Sequence, residues 1–367
     1  MARITELATA RLVRELHTPF VTSLRRTSHV FSVAVRVTDA DGNTGYGEAP
    51  QVWRVTGESL ESVEACVHGP LAGAVVGRDP ASGPLSDVGR WLEQAVVANG
   101  GARAACEVAV LDLWARASGQ PLVRLLDGEA PSVATDVTIA ADGGAWSPAT
   151  LSASGFDRVK IKVGLDPADV ERVMAIHRAD PRRPVRIDAN QAWDLATATA
   201  TIEALAEAGV PLEFLEQPLP AWDVAGHAEL RRRFDVPIVL DESVFTIHDL
   251  RRAIEAGAVD IVNIKLAKCG GLGLGLAIGR EALASGLRVM VGSMMESELG
   301  VSAAAALAAT LSPDRVHDLD AAWWSIALDD PNSPYRDGRF ELDDSPGLSH
   351  AVERVVAPSL EWRPSAG

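Results

Sequence analysis

Five charged positions recur at the ends of apolar runs with the spacing of a repeated unit. Lys160 and Lys162 lie two apart in Arg158-Val159-Lys160-Ile161-Lys162-Val163, so on a strand both face one side. Asp188 closes Arg186-Ile187-Asp188, Glu216 closes Phe214-Leu215-Glu216, Asp241 follows Val239-Leu240, and Lys265 follows Asn263-Ile264. Subtracting residue numbers from Lys162 onward gives steps of 26, 28, 25 and 24, one βα unit each. Three carboxylates brought to one place repel unless a cation sits between them. Hard oxygen donors on strand ends suit Mg²⁺, one ion per subunit. The eight histidines are scattered without zinc-type spacing. Lysines on either side of a metal-bound substrate carboxylate are placed to take and return its α-proton. Neighbouring cations are expected to lower the lysine pKa, and Mg²⁺ to stabilise the enediolate.

Each residue is unremarkable alone: a lysine at a strand end is usually solvated and an aspartate there usually caps a helix. Their common phase with the βα repeat is what singles them out. The elements that must hold them follow from short β-branched runs at Val133–Ile139, Val159–Val163, Val185–Asp188, Leu212–Glu216, Ile238–Asp241, Ile261–Ile264, Arg288–Val291 and Val316–Leu319. Eight runs separated by helical stretches predict an α/β fold, a parallel (β/α) barrel with its site at the strands' C-terminal ends. An open doubly wound sheet is the competing architecture, and the strand count favours closure. Upstream lies a small α+β unit. Strand alternation at His29–Val37, the turn Asp41-Gly42-Asn43 and a strand at Thr44–Gly47 precede helical periodicity near 58–76, 84–98 and 102–118. The expected division is a cap over 1–128, a barrel over 129–322, and a segment over 323–367 that returns to the cap.

Bulk properties narrow the function. A net charge of −16 with no basic face argues against nucleic acid or an anionic membrane as partner. Three separated cysteines, Cys66, Cys106 and Cys269, predict a reduced, cytoplasmic protein without disulfides. Neither a signal-peptide run at the start nor a stretch long enough to span a bilayer is evident. Gly270-Gly271-Leu272-Gly273-Leu274-Gly275 follows a strand as in a dinucleotide site, but Met290 and Val291 stand where the acidic ribose contact belongs, so the run reads as a loop behind Lys265.

Lys160-Ile161-Lys162, Asp188-Ala189-Asn190, Glu216-Gln217-Pro218, Asp241-Glu242-Ser243 and Asn263-Ile264-Lys265 together resemble the enolase superfamily in its muconate-lactonising subgroup. Gly45-Tyr46-Gly47-Glu48-Ala49 and Pro346-Gly347-Leu348 resemble that family's capping domain, so the likeness spans nearly the whole chain. It implies a capped barrel, Mg²⁺ on Asp188, Glu216 and Asp241, and acid/base lysines at Lys162 and Lys265; lysine bases working with Mg²⁺ are the general rule for such sites. It further implies substrate contacts from Lys160, Thr135 and Glu296, support from Asn190 behind the metal ligands, and a symmetric homo-oligomer.

Asp318 and Asp320, two apart after the eighth strand, are surplus to the metal and form an unpaired acidic pair suited to a free ammonium group. They resemble the feature by which dipeptide epimerases hold the substrate N-terminus, whereas capping a following helix is the plainer reading. Epimerisation of the C-terminal residue of an L,L-dipeptide by 1,1-proton transfer is the expectation, the dipeptide being the small-molecule partner. Specificity is expected from two cap stretches, Pro19–Arg26 and Val52–Gly57. Arg25 falls where Ala-Glu epimerases carry an arginine for the substrate glutamate, while Glu298 would favour a cationic side chain. Trp323 and Trp324 are expected to pack between cap and barrel. o-Succinylbenzoate synthase, N-succinylamino acid racemase and a muconate cycloisomerase are the rivals within the fold. A non-catalytic barrel that binds a small metabolite is the rival outside it.

Overall fold

The computed structural model describes residues 2–23, 26–142, 155–164, 166 and 168–365. Its first unit is an antiparallel sheet of β1 (Ile4–Val21), β2 (Arg26–Asp39) and β3 (Thr44–Pro50). The β2–β3 turn is fixed by Asp39, whose carboxylate accepts from the backbone N–H groups of Asp41 and Asn43 at 3.0 and 2.8 Å. Helix Gly100–Ala117 lies directly on β3. Gly45 and Gly47 allow this approach, because a Cβ on either would stand 2.2 Å from the carbonyl oxygen of Ala109 or Ala105.

The second unit is a curled parallel sheet of seven strands: β5 (Val137–Ile139), β6 (Val159–Lys162), β7 (Val185–Asp188), β8 (Leu212–Glu216), β9 (Ile238–Leu240), β10 (Ile261–Ile264) and β11 (Arg288–Val291). The ring is completed by β12 (Val316–His317), which pairs in parallel with β4 (Ser132–Thr135) and reaches β11 through the Gly292–Asp318 bridge. The run 133–139, expected as one strand, is broken at Asp136 into β4 and β5. Asp136 is buried and its carboxylate accepts from Arg186 of β7 at 2.8 Å, a tie across the barrel interior. A hairpin of β13 (Tyr335–Arg336) and β14 (Arg339–Glu341) adds antiparallel to β4, and β15 (Arg363–Pro364) pairs with β1 in the cap. Leu348 N donates to Asp112 of the cap helix at 2.6 Å.

Cap and barrel are joined by buried carboxylates placed at helix N-termini, where free N–H groups and the helix dipole favour an anion. Glu48 of β3 accepts from Ser32, from the N–H of Ser297 at 3.0 Å and from the N–H of Gly300 at 3.0 Å, at the start of helix Glu298–Leu311. Glu107 does the same at helix Leu272–Ala284 through the N–H of Gly273, and burial pushes its carboxyl up to about 7. The Gly270–Gly275 run therefore has its helix N-terminus filled by the protein's own carboxylate. One helix follows β10 and Lys265 through the short helix Leu266–Cys269 and the other follows β11, so the cap is tied to that side of the barrel mouth. No helix among the described residues is long and apolar enough to cross a membrane.

Candidate active site

At the C-terminal ends of the barrel strands, alternation turns Lys160 and Lys162 of β6 inward beside Asp188 at the end of β7, Glu216 at the end of β8, Asp241 after β9 and Lys265 after β10. All six are buried. The Lys160 ammonium lies 3.6 Å from Asp188 and 3.5 Å from Glu216, and it donates to Asp318 after β12. Lys162 donates to Asp188, and Lys265 donates to Asp241 at 2.8 Å. Asn263, two residues before Lys265 on the same face of β10, donates to Glu216 at 2.7 Å. The N–H of Asn190 donates to Asp188 at 2.9 Å, and its side chain donates to Glu242 at 3.3 Å.

The electrostatics are those of carboxylates crowded beyond the cations present. Burial, with Asp188 beside it, pushes the Glu216 carboxyl up to about 7. Burial and the neighbouring Asp241 push Glu242 up to about 8. Asp241 itself is held low: burial works against its charge, and Lys265 and Lys268 overcome that. Three buried side-chain oxygens, Asp241 Oδ1, Glu242 Oε2 and Asn190 Oδ1, have no hydrogen-bond donor, and all three residues line one cavity. Asp241 Oδ1 faces the Lys268 ammonium at 2.6 Å, and Asp188, Glu216 and Asp241 at neighbouring strand ends are a hard carboxylate donor set of the kind that fits Mg²⁺. Lysines also behave as that imbalance requires. Burial pushes Lys160 and Lys265 down, but the surrounding carboxylates, Asp318 and Asp241 foremost, raise both above the ordinary lysine value. The lowering expected from the sequence is thus absent from the protein's own charges, and a divalent cation is what could supply it.

The cavity, about 70 Å³, opens between barrel mouth and cap. Its floor includes Lys160, Lys162, Asp241, Glu242, Lys265, Asp318 and Asp320. Its roof comes from the two cap stretches singled out in the sequence, through Phe20, Thr22, Val52, Arg54 and Val55. Asp318 and Asp320 are not an unpaired pair. Asp318 takes the Lys160 ammonium, because a carboxylate buried this deeply demands a cation. Asp320 Oδ2 accepts from the N–H of Thr138 at 2.6 Å and from the Trp324 indole at 3.1 Å, which orients the group and leaves Oδ1 with capacity.

Several expected contacts lie elsewhere. Thr135 does not line the cavity; its hydroxyl accepts from the N–H of Leu319 at 2.9 Å and ties β4 to the chain after β12. Glu296 is buried behind the wall, accepting from the N–H of Met294 at 2.8 Å, and burial with Glu48 nearby pushes it up to about 8. Glu298, the first residue of its helix, does not line the cavity and turns away to accept from Arg354 at 2.6 Å. Arg25 lies outside the described residues. Trp324 packs among Leu16, Phe20, Val30 and Met295, between cap and barrel. Glu242, Asn263, Thr138 and Arg54 went unassigned in the sequence. Glu242 and Asn263 stood inside motifs already noted, and Asn263 was findable by its two-residue offset from Lys265.

Residues 4–127 match the mandelate racemase / muconate lactonizing enzyme N-terminal domain, and residues 147–356 match the enolase C-terminal domain-like family. The L-Ala-D/L-Glu epimerase of Bacillus subtilis is 36% identical over 329 residues, 87% of this chain and 88% of its own. A hydrophobic dipeptide epimerase of Citrifermentans bemidjiense is 34% identical over 357 residues, 93% of this chain and 96% of its own. The crystal structure of a dipeptide epimerase from Enterococcus faecalis, complexed with Mg and the dipeptide L-Leu-L-Tyr, superposes with a TM-score of 0.84 at 30% identity. It covers 94% of this chain and 99% of that one.

Proposed function

This chain belongs to the enolase superfamily, and from that premise we propose that it is a Mg²⁺-dependent dipeptide epimerase that inverts the C-terminal residue of an L,L-dipeptide. An isomerase of the epimerase kind is what its relatives indicate. The observation that carries the finer reading is the placement of Lys162 and Lys265 on strands β6 and after β10, with the carboxylates of β7, β8 and β9 between them along the ring. Asp188, Glu216 and Asp241 would hold Mg²⁺, which supplies electrostatic stabilisation of charge on the substrate carboxylate. One lysine removes the α-proton and the other delivers a proton to the opposite face. Lys160 stays with Asp318 and Glu216 as a fixed cation. The cap side chains close the cavity against water. Turnover is tested directly by incubating L,L-dipeptides with enzyme and Mg²⁺ in D₂O. A gain of one mass unit with formation of the L,D epimer supports the reading; no dipeptide taking up deuterium counts against it.

Asp320 and Asp318 are proposed to receive the substrate's free ammonium, Asp320 through Oδ1. Asp320→Asn keeps the bonds from Thr138 and Trp324 possible while removing the charge. It is expected to weaken dipeptides by about ten- to a hundredfold, as losing a charge-assisted contact of about 1.5–3 kcal/mol would. N-acylated analogues should lose little. Equal losses for both ligand classes would favour the racemase alternative.

An acidic side chain on the epimerised residue is the substrate class we favour. Among the described residues that line the cavity, Arg54 is a cation with no ion-pair or hydrogen-bond partner, and it is exposed at the lip. Val52 packs with Ala267 and Met294, and Val55 packs against this group, which places the loop over the ends of β10 and β11 beside Lys265. With Glu298 engaged by Arg354, the competing signal for a cationic substrate is gone. Arg54→Ala should cut kcat/KM for a dipeptide ending in glutamate by about tenfold or more while changing an alanine-ended one little. A uniform loss would place Arg54 outside substrate recognition.

A further inference from the structure

The Trp324 indole lies behind the cavity, bridges its floor and roof, and takes part in no step of the proton transfer. It leaves the short turn Ala321–Ser325, four residues after Asp320. That turn is fixed by the Trp323 N–H, which donates to the Asp320 carbonyl at 3.0 Å. Ahead of it, the Tyr335 hydroxyl donates to the Leu319 carbonyl at 2.6 Å. On the floor side the indole N–H donates to Asp320 Oδ2 at 3.1 Å. On the roof side the ring meets the end of β1: His17 stacks on it at 5.4 Å and 22°, and Phe20 meets it edge-on at 5.3 Å and 74°. Phe20 itself lines the cavity.

We propose that Trp324 is a positioning residue that makes the site selective for a free ammonium, by fixing the plane of Asp320 and docking the roof strand on the same ring. The inference rests on the reading of Asp320 as the ammonium acceptor. The terminal torsion of an aspartate is broad, so one donor alone leaves its carboxylate free to swing. The Thr138 N–H, at 2.6 Å, is such a single donor. The indole N–H adds a second direction on the same oxygen, and planarity of the carboxylate then decides where Oδ1 points. Restraint matters here because Lys160, paired with Asp318, also attracts Asp320. A carboxylate drawn toward that ammonium would no longer present Oδ1 to a substrate. The indole cannot tilt to follow it, since His17 and Phe20 hold the ring from the cap and Leu16, Val30 and Met295 complete its bed. An N-acylated substrate brings no charge to Oδ1 and so gains nothing from the indole N–H.

The test uses Mg²⁺-loaded enzyme, an L,L-dipeptide that wild type turns over, and the N-acetyl form of that dipeptide. Calorimetry gives the affinity of both ligands for wild type, Trp324→Phe, Asp320→Asn and the double variant. Trp324→Phe keeps an aromatic ring against His17 and Phe20 but removes the N–H donor. It is expected to weaken the dipeptide by about three- to tenfold, the worth of one hydrogen bond, and the N-acetyl form by less. In the Asp320→Asn background the same change should leave the ratio of the two affinities where Asp320→Asn put it, because the group that the indole positions has lost its charge. If Trp324→Phe is not recovered folded, 3-benzothienylalanine at position 324, a ring of the same shape with sulfur in place of the N–H, decides by the same ratio. Equal weakening of both ligands by either replacement, or a ratio like that of wild type, would reduce Trp324 to packing while Asp320 keeps its role. So would an equal drop of the ratio in both backgrounds. If Asp320→Asn itself leaves the ratio unchanged, the ammonium reading fails and this inference falls with it.

Discussion

Lys162→Ala and Lys265→Ala are expected to exchange solvent deuterium into opposite epimers of a dipeptide without interconverting them. Inversion at carbon needs a proton acceptor on one face and a donor on the other, so either substitution should abolish epimerisation. The remaining lysine can still remove and return a proton on its own side. That residual exchange should be slower, since general acid–base assistance is typically worth 10²–10⁴-fold. Folding should tolerate both changes. Lys162→Ala leaves Asp188 with Lys160 3.6 Å away, and Lys265→Ala leaves Asp241 with Lys268 at 2.6 Å. Each carboxylate thus keeps a cation, and circular dichroism should report folded protein in both cases. Near-normal epimerisation by either variant would rule out two bases. Exchange of the same epimer by both would put the lysines on one face and favour a one-base reaction such as syn dehydration.

The strand-end carboxylates and lysines proposed to form the site were legible as a set in the sequence because a barrel repeats. One βα unit sets the spacing, and polar groups at the strand ends stand out against β-branched runs. Residues whose roles depend on which way a side chain leaves an irregular segment were not. Glu298 sits close behind the seventh-strand motif, yet it begins a helix and turns toward Arg354. Lys268 lies in Leu266-Ala267-Lys268-Cys269, where no periodicity marks it, and only the fold reveals its carbonyl ligands. Arg54 counts for what lies around it, and spacing along the chain cannot report that. The 18-residue β1 was passed over for a different reason. Leu7, Ala8, Ala10, Arg11, Leu12, Arg14, Glu15 and Leu16 are good helix formers, and pairing with β2 overrides that preference.

Asp188→Asn, Glu216→Gln and Asp241→Asn are each expected to eliminate turnover together with Mg²⁺-induced stabilisation, for a reason visible in the charges. Buried carboxylates outnumber what the lysines can compensate, so Glu216 and Glu242 are pushed up to about 7 and about 8, chiefly by burial and then by their acidic neighbours. A cation bound there relieves that repulsion and stabilises the fold. At a hundredfold excess of free Mg²⁺ over its Kd, the gain is about 2.7 kcal/mol. The three variants should separate in the absence of metal. Glu216→Gln removes a charge the site already disfavours and can keep the bond from Asn263, so its thermal midpoint should match or exceed that of the metal-free wild type. Asp241→Asn strips the counter-charge from both Lys265 and Lys268, and should be the least stable of the three. Thermal unfolding with and without Mg²⁺, beside a D₂O turnover assay, checks all of this at once. Full turnover by wild type in excess EDTA, with metal content verified as nil, would overturn the metal-dependent mechanism. A Glu216→Gln enzyme still stabilised by Mg²⁺ to the wild-type extent would remove Glu216 from the ligand set.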